Sequence, residues 1–167
     1  ETVCWVLDIC DAKVNDSCGF HVHMDAADFN LDTWKNLALT YKHLEHLIDA
    51  FMPRPRRNNT YCKSLSGVSD ERIKSVRTID DLQEVFNNDR YHKVNFEAYS
   101  RHRTVEFRQH SGTTNFTKME NWIRFLNGLI TFAKSSSLPS RMTLEGLPFL
   151  DGKQKLFFKL RTKKLAV

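Results

Sequence analysis

No apolar run in this sequence approaches the roughly 20 residues needed to cross a bilayer, so no membrane-spanning helix is expected. No basic leader with a small-residue cleavage site opens the chain, so no secretory signal is expected either. The sequence starts at Glu1 without Met, and we expect it to be a processed or partial piece of something longer. It holds four cysteines and no Cys-x-x-Cys pair. That argues against a secreted disulfide scaffold and for a reducing, cytoplasmic setting. Cys18-x-x-His21-x-His23 looks like the start of a zinc site. However, Cys18 and His21 fall on opposite faces of a regular strand, and no second ligand pair follows downstream. Internal repeats are missing, as is any aromatic-interleaved RNA-binding motif, so nucleic acid is not expected as a partner.

What remains is enough for one folded domain. Hydrophobic residues make up 41% of the 167, and 12 phenylalanines supply core volume, so a single globular domain spanning 1–167 is expected. The net charge of +5 is unevenly placed. Arg54, Arg56, Arg57 and Lys63 surround a proline-punctuated loop, and Lys153, Lys155, Lys159, Arg161, Lys163 and Lys164 crowd a basic, helical C-terminal tail over 139–167. Such tails are most often solvated helix faces.

Periodicity outlines the elements. Residues 1–12 read as a helix with Val3, Val6, Leu7 and Cys10 on one stripe. A long helix is expected from Asn30–Asp32 to Phe51, burying Leu37, Tyr41, Leu44, Leu47, Ile48 and Phe51, with His43 and His46 facing solvent and Pro53 ending it. Thr78-x-x-Asp81 reads as a capping box opening a short helix. Residues 91–99 alternate as a strand that turns at 100–102 to pair with the next one. Thr117-x-x-Glu120 is a second capping box for a helix from Thr117 to Lys134, followed by a brief helix from Thr143 and a last one from Gly152. The pattern predicts an α+β domain, a mainly antiparallel sheet with helices packed on one face.

Two of the strands carry the chemistry. Every second side chain of a strand points the same way. One face of Gly19-Phe-His-Val-His-Met-Asp25 therefore presents His21, His23 and Asp25. One face of Arg103-Thr-Val-Glu-Phe-Arg-Gln-His110 presents Thr104, Glu106, Arg108 and His110, with Val105 and Phe107 opposite. Polar alternation on a half-buried strand accounts for either segment taken alone. Together, imidazoles, a carboxylate and a guanidinium are what is needed to hold a divalent metal and a phosphate.

These segments occur with others in a telling order: Gly19-Phe-His-Val-His23, then Arg56-Arg57-Asn58-Asn59-Thr60-Tyr61-Cys62, Tyr91-His-Lys-Val-Asn95, and Thr104-Val-Glu-Phe-Arg-Gln-His-Ser-Gly-Thr113. In this the chain resembles the amidoligase family over a core of roughly residues 15–134. The family is similar to glutamine synthetase and the glutamate–cysteine ligases, which join carboxylates to amines with ATP. The resemblance implies a glutamine-synthetase-like catalytic domain and Mg²⁺ or Mn²⁺. It implies metal ligation by His21 and Glu106, and catalytic phosphate contacts by His23 and Arg108. Nucleotide or substrate contacts are implied for Arg56, Arg57, Asn59, Asn95, Arg103 and His110. Substrates would be carboxylate- and amine-bearing small molecules or peptides. The family's domain opens with a strand bearing a Glu-x-Glu pair, which has no counterpart before His21. The domain is thus expected to be incomplete at its N-terminus, with the strand supplied by a further segment or a partner chain, or with activity lost. Two other readings stay open: a non-catalytic structural protein that kept a ligase-like fold, and a metal-dependent hydrolase that would need further His or Asp ligands.

Overall fold

The computed structural model describes residues 1–166. Its elements run α1 (Thr2–Ile9), β1 (Val22–Asp25), α2 (Leu31–Ala50), α3 (Asp70–Ser75), α4 (Ile79–Val85), β2 (Val94–Asn95), α5 (Ala98–His102), β3 (Thr104–Phe107), α6 (Phe116–Ala133) and α7 (Gly152–Leu165). This is an α+β arrangement around one small antiparallel sheet ordered β1–β3–β2.

The long helix α2 starts where sequence chemistry says it should. The Asn30 side chain accepts from the Thr33 amide and hydroxyl, holding an otherwise orphaned donor of the first turn. Twenty residues without Gly or Pro follow, and Leu37, Tyr41, Leu44 and Ile48 bury their stripe completely. Each such side chain contributes about 1.5–3 kcal/mol of burial. Tyr41 lies tilted against Phe107 of β3 at 5.8 Å between ring centroids, which seats the helix on the sheet. Val22, Val94, Val105 and Phe107 form the buried side of that sheet. Packed against α2, the α6 residues Trp122, Phe125, Leu126 and Leu129 close the core.

Buried charge also ties helix to sheet. Lys93, fully buried just before β2, pairs with Asp49 at 2.8 Å and Glu45 at 3.3 Å, both from α2. Gln109, just past β3, donates to Asp49 and accepts from the Tyr41 hydroxyl at 2.7 Å. Removing one partner of so buried a network leaves an uncompensated charge, which is far worse than losing an exposed pair.

Several expectations need correcting. The helix at the start is shorter than expected, and its apolar residues are not a core stripe: only Cys4 is buried, while Val3, Trp5, Val6 and Ile9 are exposed. The strand expected over 91–99 shrinks to Val94–Asn95, and the turn at 100–102 is the helix α5. It ends at Arg103 in the left-handed region, φ 58°, where the chain reverses into β3, and the expected antiparallel pairing does form. The cap of α6 is Asn115, which accepts from the Lys118 amide, and not Thr117. No helix forms at Thr143. His43 is no bystander, for its ring bridges Asp70 and the Leu138 carbonyl, each at 2.7 Å. Nor is α7 merely a solvated basic tail. Its Phe158 is buried with its ring 4.4 Å from that of Phe51, and Arg161 donates to the Phe51 carbonyl at 2.7 Å.

Candidate active site

Antiparallel register builds the site. Across the sheet, His23 of β1 stands opposite Glu106 of β3, and Asn95 of β2 stands opposite the same Glu106 from the other side. Directly opposed residues share a face with side chains in contact. The neighbouring row, Val22–Phe107–Val94, points into the core. The central strand is thus the hinge of the arrangement, and its single carboxylate is the meeting point.

Four side chains converge on that carboxylate. Arg108 Nη1 donates to Glu106 Oε1 at 2.9 Å, and Asn95 Nδ2 donates to Oε2 at 2.6 Å. His21 Nδ1 lies 3.1 Å from Oε1 and His23 Nε2 3.7 Å from it. Glu106 and Arg108 are each only 5% exposed, whereas the two imidazoles reach solvent. Burial alone would push the Glu106 carboxyl up. Hydrogen bonds from His21 and Asn95 and the Arg108 charge outweigh that and hold it at about 2, so it is ionised at any physiological pH.

The surroundings orient these groups. His23 Nδ1 is fixed by the Thr104 hydroxyl at 2.9 Å. Arg108 stacks over the Tyr91 ring at 5.5 Å, and its Nε donates to the Tyr61 carbonyl at 3.4 Å. Gly19 makes room: a Cβ there would come within 2.6 Å of His21 Nε2 and 3.0 Å of Arg56 Nη2, so any side chain would push the imidazole aside.

Not every residue implicated by sequence joins this cluster. Arg56 is buried and donates to the backbone carbonyls of Arg108 and Gln109, which makes it a strut under the end of β3 with its tip beside His21. Arg57 donates to the Met52 and Leu165 carbonyls, and Asn59 is tied into its own loop by Pro55 and Tyr61. Arg103 is exposed and lies over Tyr99 at 4.3 Å. His110 is turned into the core: regular strand ends at Phe107, and the alternation that still brings Arg108 beside Glu106 does not carry as far as residue 110. It sits against Trp122 and Phe20, and burial, with the nearby charges of Arg161, Lys118 and Arg56, lowers it to about 4 even though the Ser111 carbonyl opposes the shift. Asp25 accepts from the Ala27 amide in a local turn.

As a metal centre the set is partial. Among the described residues no group of three His, Cys, Asp or Glu side chains is placed to hold an ion. His21 Nδ1 and Glu106 Oε1, 3.1 Å apart, do match the spacing of adjacent ligands on one cation, about 3 Å for bonds of about 2.1 Å at right angles. The other positions would have to come from substrate oxygens and water.

Next to the cluster lies a pocket of about 190 Å³ lined by His23, Asn95 and Glu106 together with Asn88, Arg90, Glu97, Ala98, Arg101 and His102. Sequence reasoning missed the last group. The available signal was Asn95-x-Glu97, two polar residues at strand spacing beside the expected hairpin turn.

A comparison with protein-family models matches residues 3–130 to the family described as putative amidoligase enzyme. No curated protein and no solved structure matches the chain. The family match runs through all three strands and contains every residue that meets on Glu106. On that basis the chain belongs to the amidoligase family.

Proposed function

We propose that this protein forms amide bonds as an ATP-dependent carboxylate–amine ligase. The observation that carries the reading is the ionised, buried Glu106 held by Arg108 and Asn95 with His21 and His23 at its open side, in a chain of the amidoligase family. In this reaction a substrate carboxylate oxygen attacks the γ-phosphorus of ATP and ADP leaves, giving an acyl phosphate. An amine nitrogen then attacks the acyl carbon, the C–O bond to phosphate breaks, and the amine loses a proton. Charge develops on the phosphoryl oxygens, and fixed cationic groups in a site shielded from water are well suited to offset it. Arg108 is such a group, pre-oriented by Glu106, Tyr61 and Tyr91. His23, fixed by Thr104, is placed to donate to a phosphate oxygen. His21 and Glu106 would hold one Mg²⁺ or Mn²⁺, which when bound neutralises phosphate charge.

A hard cation wants several oxygen ligands, and Glu106 is one carboxylate. We place the missing carboxylates on a further strand beside β1, supplied by this polypeptide or by a partner chain. Such a strand would extend a glutamine-synthetase-like sheet. A cytoplasmic setting suits the four free cysteines, and no described helix is long and apolar enough to cross a membrane. The test is ADP release that requires both a carboxylate and an amine, with mass-spectrometric detection of the amide. ADP release without an amide, or none with any acid–amine pair, overturns the proposal. One observation favours a second reading. Both oxygens of Glu106 are already taken by protein donors, as suits a structural carboxylate in a ligase-like fold without catalysis. Nucleotide binding without turnover would support that reading.

A further inference from the structure

The pocket beside Glu106 contains a deficit of donors. Asn95 is 4% exposed, and its Oδ1 has no hydrogen-bond partner. The amide cannot be turned to cure this. Its nitrogen donates to Glu106 Oε2 at 2.6 Å, and an ionised carboxylate only accepts, so the oxygen must stay on the other side. Two residues further on, Glu97 Oε1 is also buried and unpartnered. Burial pushes the Glu97 carboxyl above its usual range, with Arg101 pulling the other way. An unpaired buried acceptor costs about 1–3 kcal/mol, more when charged. Two lining one pocket mark a place that a donor from outside completes. The other wall is cationic: Arg90 and Arg101 are exposed, and neither lies within an ion-pair distance of a carboxylate among the described residues.

We propose that this pocket binds an amino-acid zwitterion, with the ammonium donating to Asn95 Oδ1 and Glu97 and the carboxylate facing Arg90 and Arg101. The volume suits a small amino acid or the terminal residue of a peptide. A bare divalent cation would meet the acceptors but also the two guanidinium groups, and no three metal donors converge among the described residues. A plain carboxylate would meet the arginines and leave both acceptors unpaired. Only a ligand with both charges satisfies both walls. This rests on the ligase reading for what becomes of the ligand: placed next to Glu106 and His23, the amino group is that of the amine substrate.

Binding can be measured without nucleotide, by ¹H–¹⁵N NMR titration of the full chain with the twenty standard L-amino acids. At least one should shift Asn95, Glu97 and Arg101 saturably below about 10 mM, a weak but specific affinity. Its analogues lacking the amino group or the carboxylate should each bind about tenfold or more weakly, as the loss of one charged hydrogen bond implies. Glu97→Gln should weaken the amino acid as much. Exposed Arg101→Ala should weaken the amino acid but not the analogue without a carboxylate. The inference is overturned if no amino acid binds, if the analogue without the amino group binds equally, or if Glu97→Gln matches wild type. Amino-acid binding by a protein that never makes an amide would leave this inference standing and remove the ligase reading. Amide formation with no amino acid in this pocket would do the reverse.

Discussion

At Glu106 one carboxylate gathers three basic side chains and an amide, and the substitutions there separate catalysis from stability. Arg108→Lys keeps the charge but not the planar fork that, on the proposed reading, would span Glu106 and a phosphate. We expect ADP release to fall by about 10²–10³-fold, as for loss of one fixed donor to a transition-state oxyanion. Turnover equal to wild type would make Arg108 purely structural. Glu106→Gln leaves the buried Arg108 without its counter-charge and should lower stability by about 3–5 kcal/mol, read as the shift in denaturant midpoint. The pH dependence of stability carries two separate signatures. His110 is held at about 4 in the fold, below its ordinary 6.5, so its contribution is complete above pH 6.5 and is lost as pH falls through 4. Glu106, at about 2 against 4.5, contributes fully above 4.5 and loses its share as pH falls through 2. Stability lost between pH 6.5 and 4 should therefore flatten in His110→Phe, which keeps the ring packing against Trp122, and the loss below 4.5 should persist. Unfolding curves taken across that range will show whether the two windows separate. His21, His23, Glu106 and Arg108 could be grouped from alternation alone, because those stretches stay extended. His110 could not, since the strand stops three residues before it and periodicity does not announce its own end.

Helices were more legible than strands here, for a physical reason. A helix repeats its stripe over many turns, as α2 does through Leu37, Tyr41, Leu44 and Ile48, while β2 is two residues long and is defined only by the neighbour it pairs with. Cap chemistry was legible at Asn30 and at Thr78, where the box with Asp81 forms in both directions. At α6 two candidates competed. Asn115→Ala should destabilise by about 1 kcal/mol, the usual value of a lost cap, and Thr117→Ala by a few tenths at most, since Thr117 sits inside the first turn. Equal effects in thermal melts would mean that the helix starts at the later residue after all. The exposed stripe of α1 was misread because spacing tells which residues share a face and nothing about what covers it.

Across the whole molecule, the basic C-terminus acts as part of the core. Phe158 fills the space between Phe51 and Phe125, so Phe158→Ala should lower stability by about 3–5 kcal/mol as measured by chemical denaturation. The charge run of α7 would not have suggested that, because a single buried aromatic is outweighed in any average by six cations. The sheet has a further consequence through the order in which the chain is made. His23 and its anchor Thr104 are 81 residues apart, and Glu106 and Arg108 come later still. A nascent chain still short of β3 possesses both imidazoles and all of α2 but has nothing for them to face. The central strand is the last of the three to leave the ribosome, and it slots between two that cannot pair without it. A stalled or truncated product ending before Glu106 would therefore lack the cluster altogether and would display two unmatched strand edges to quality control. The same late insertion that completes the site also joins the two outer strands into one sheet.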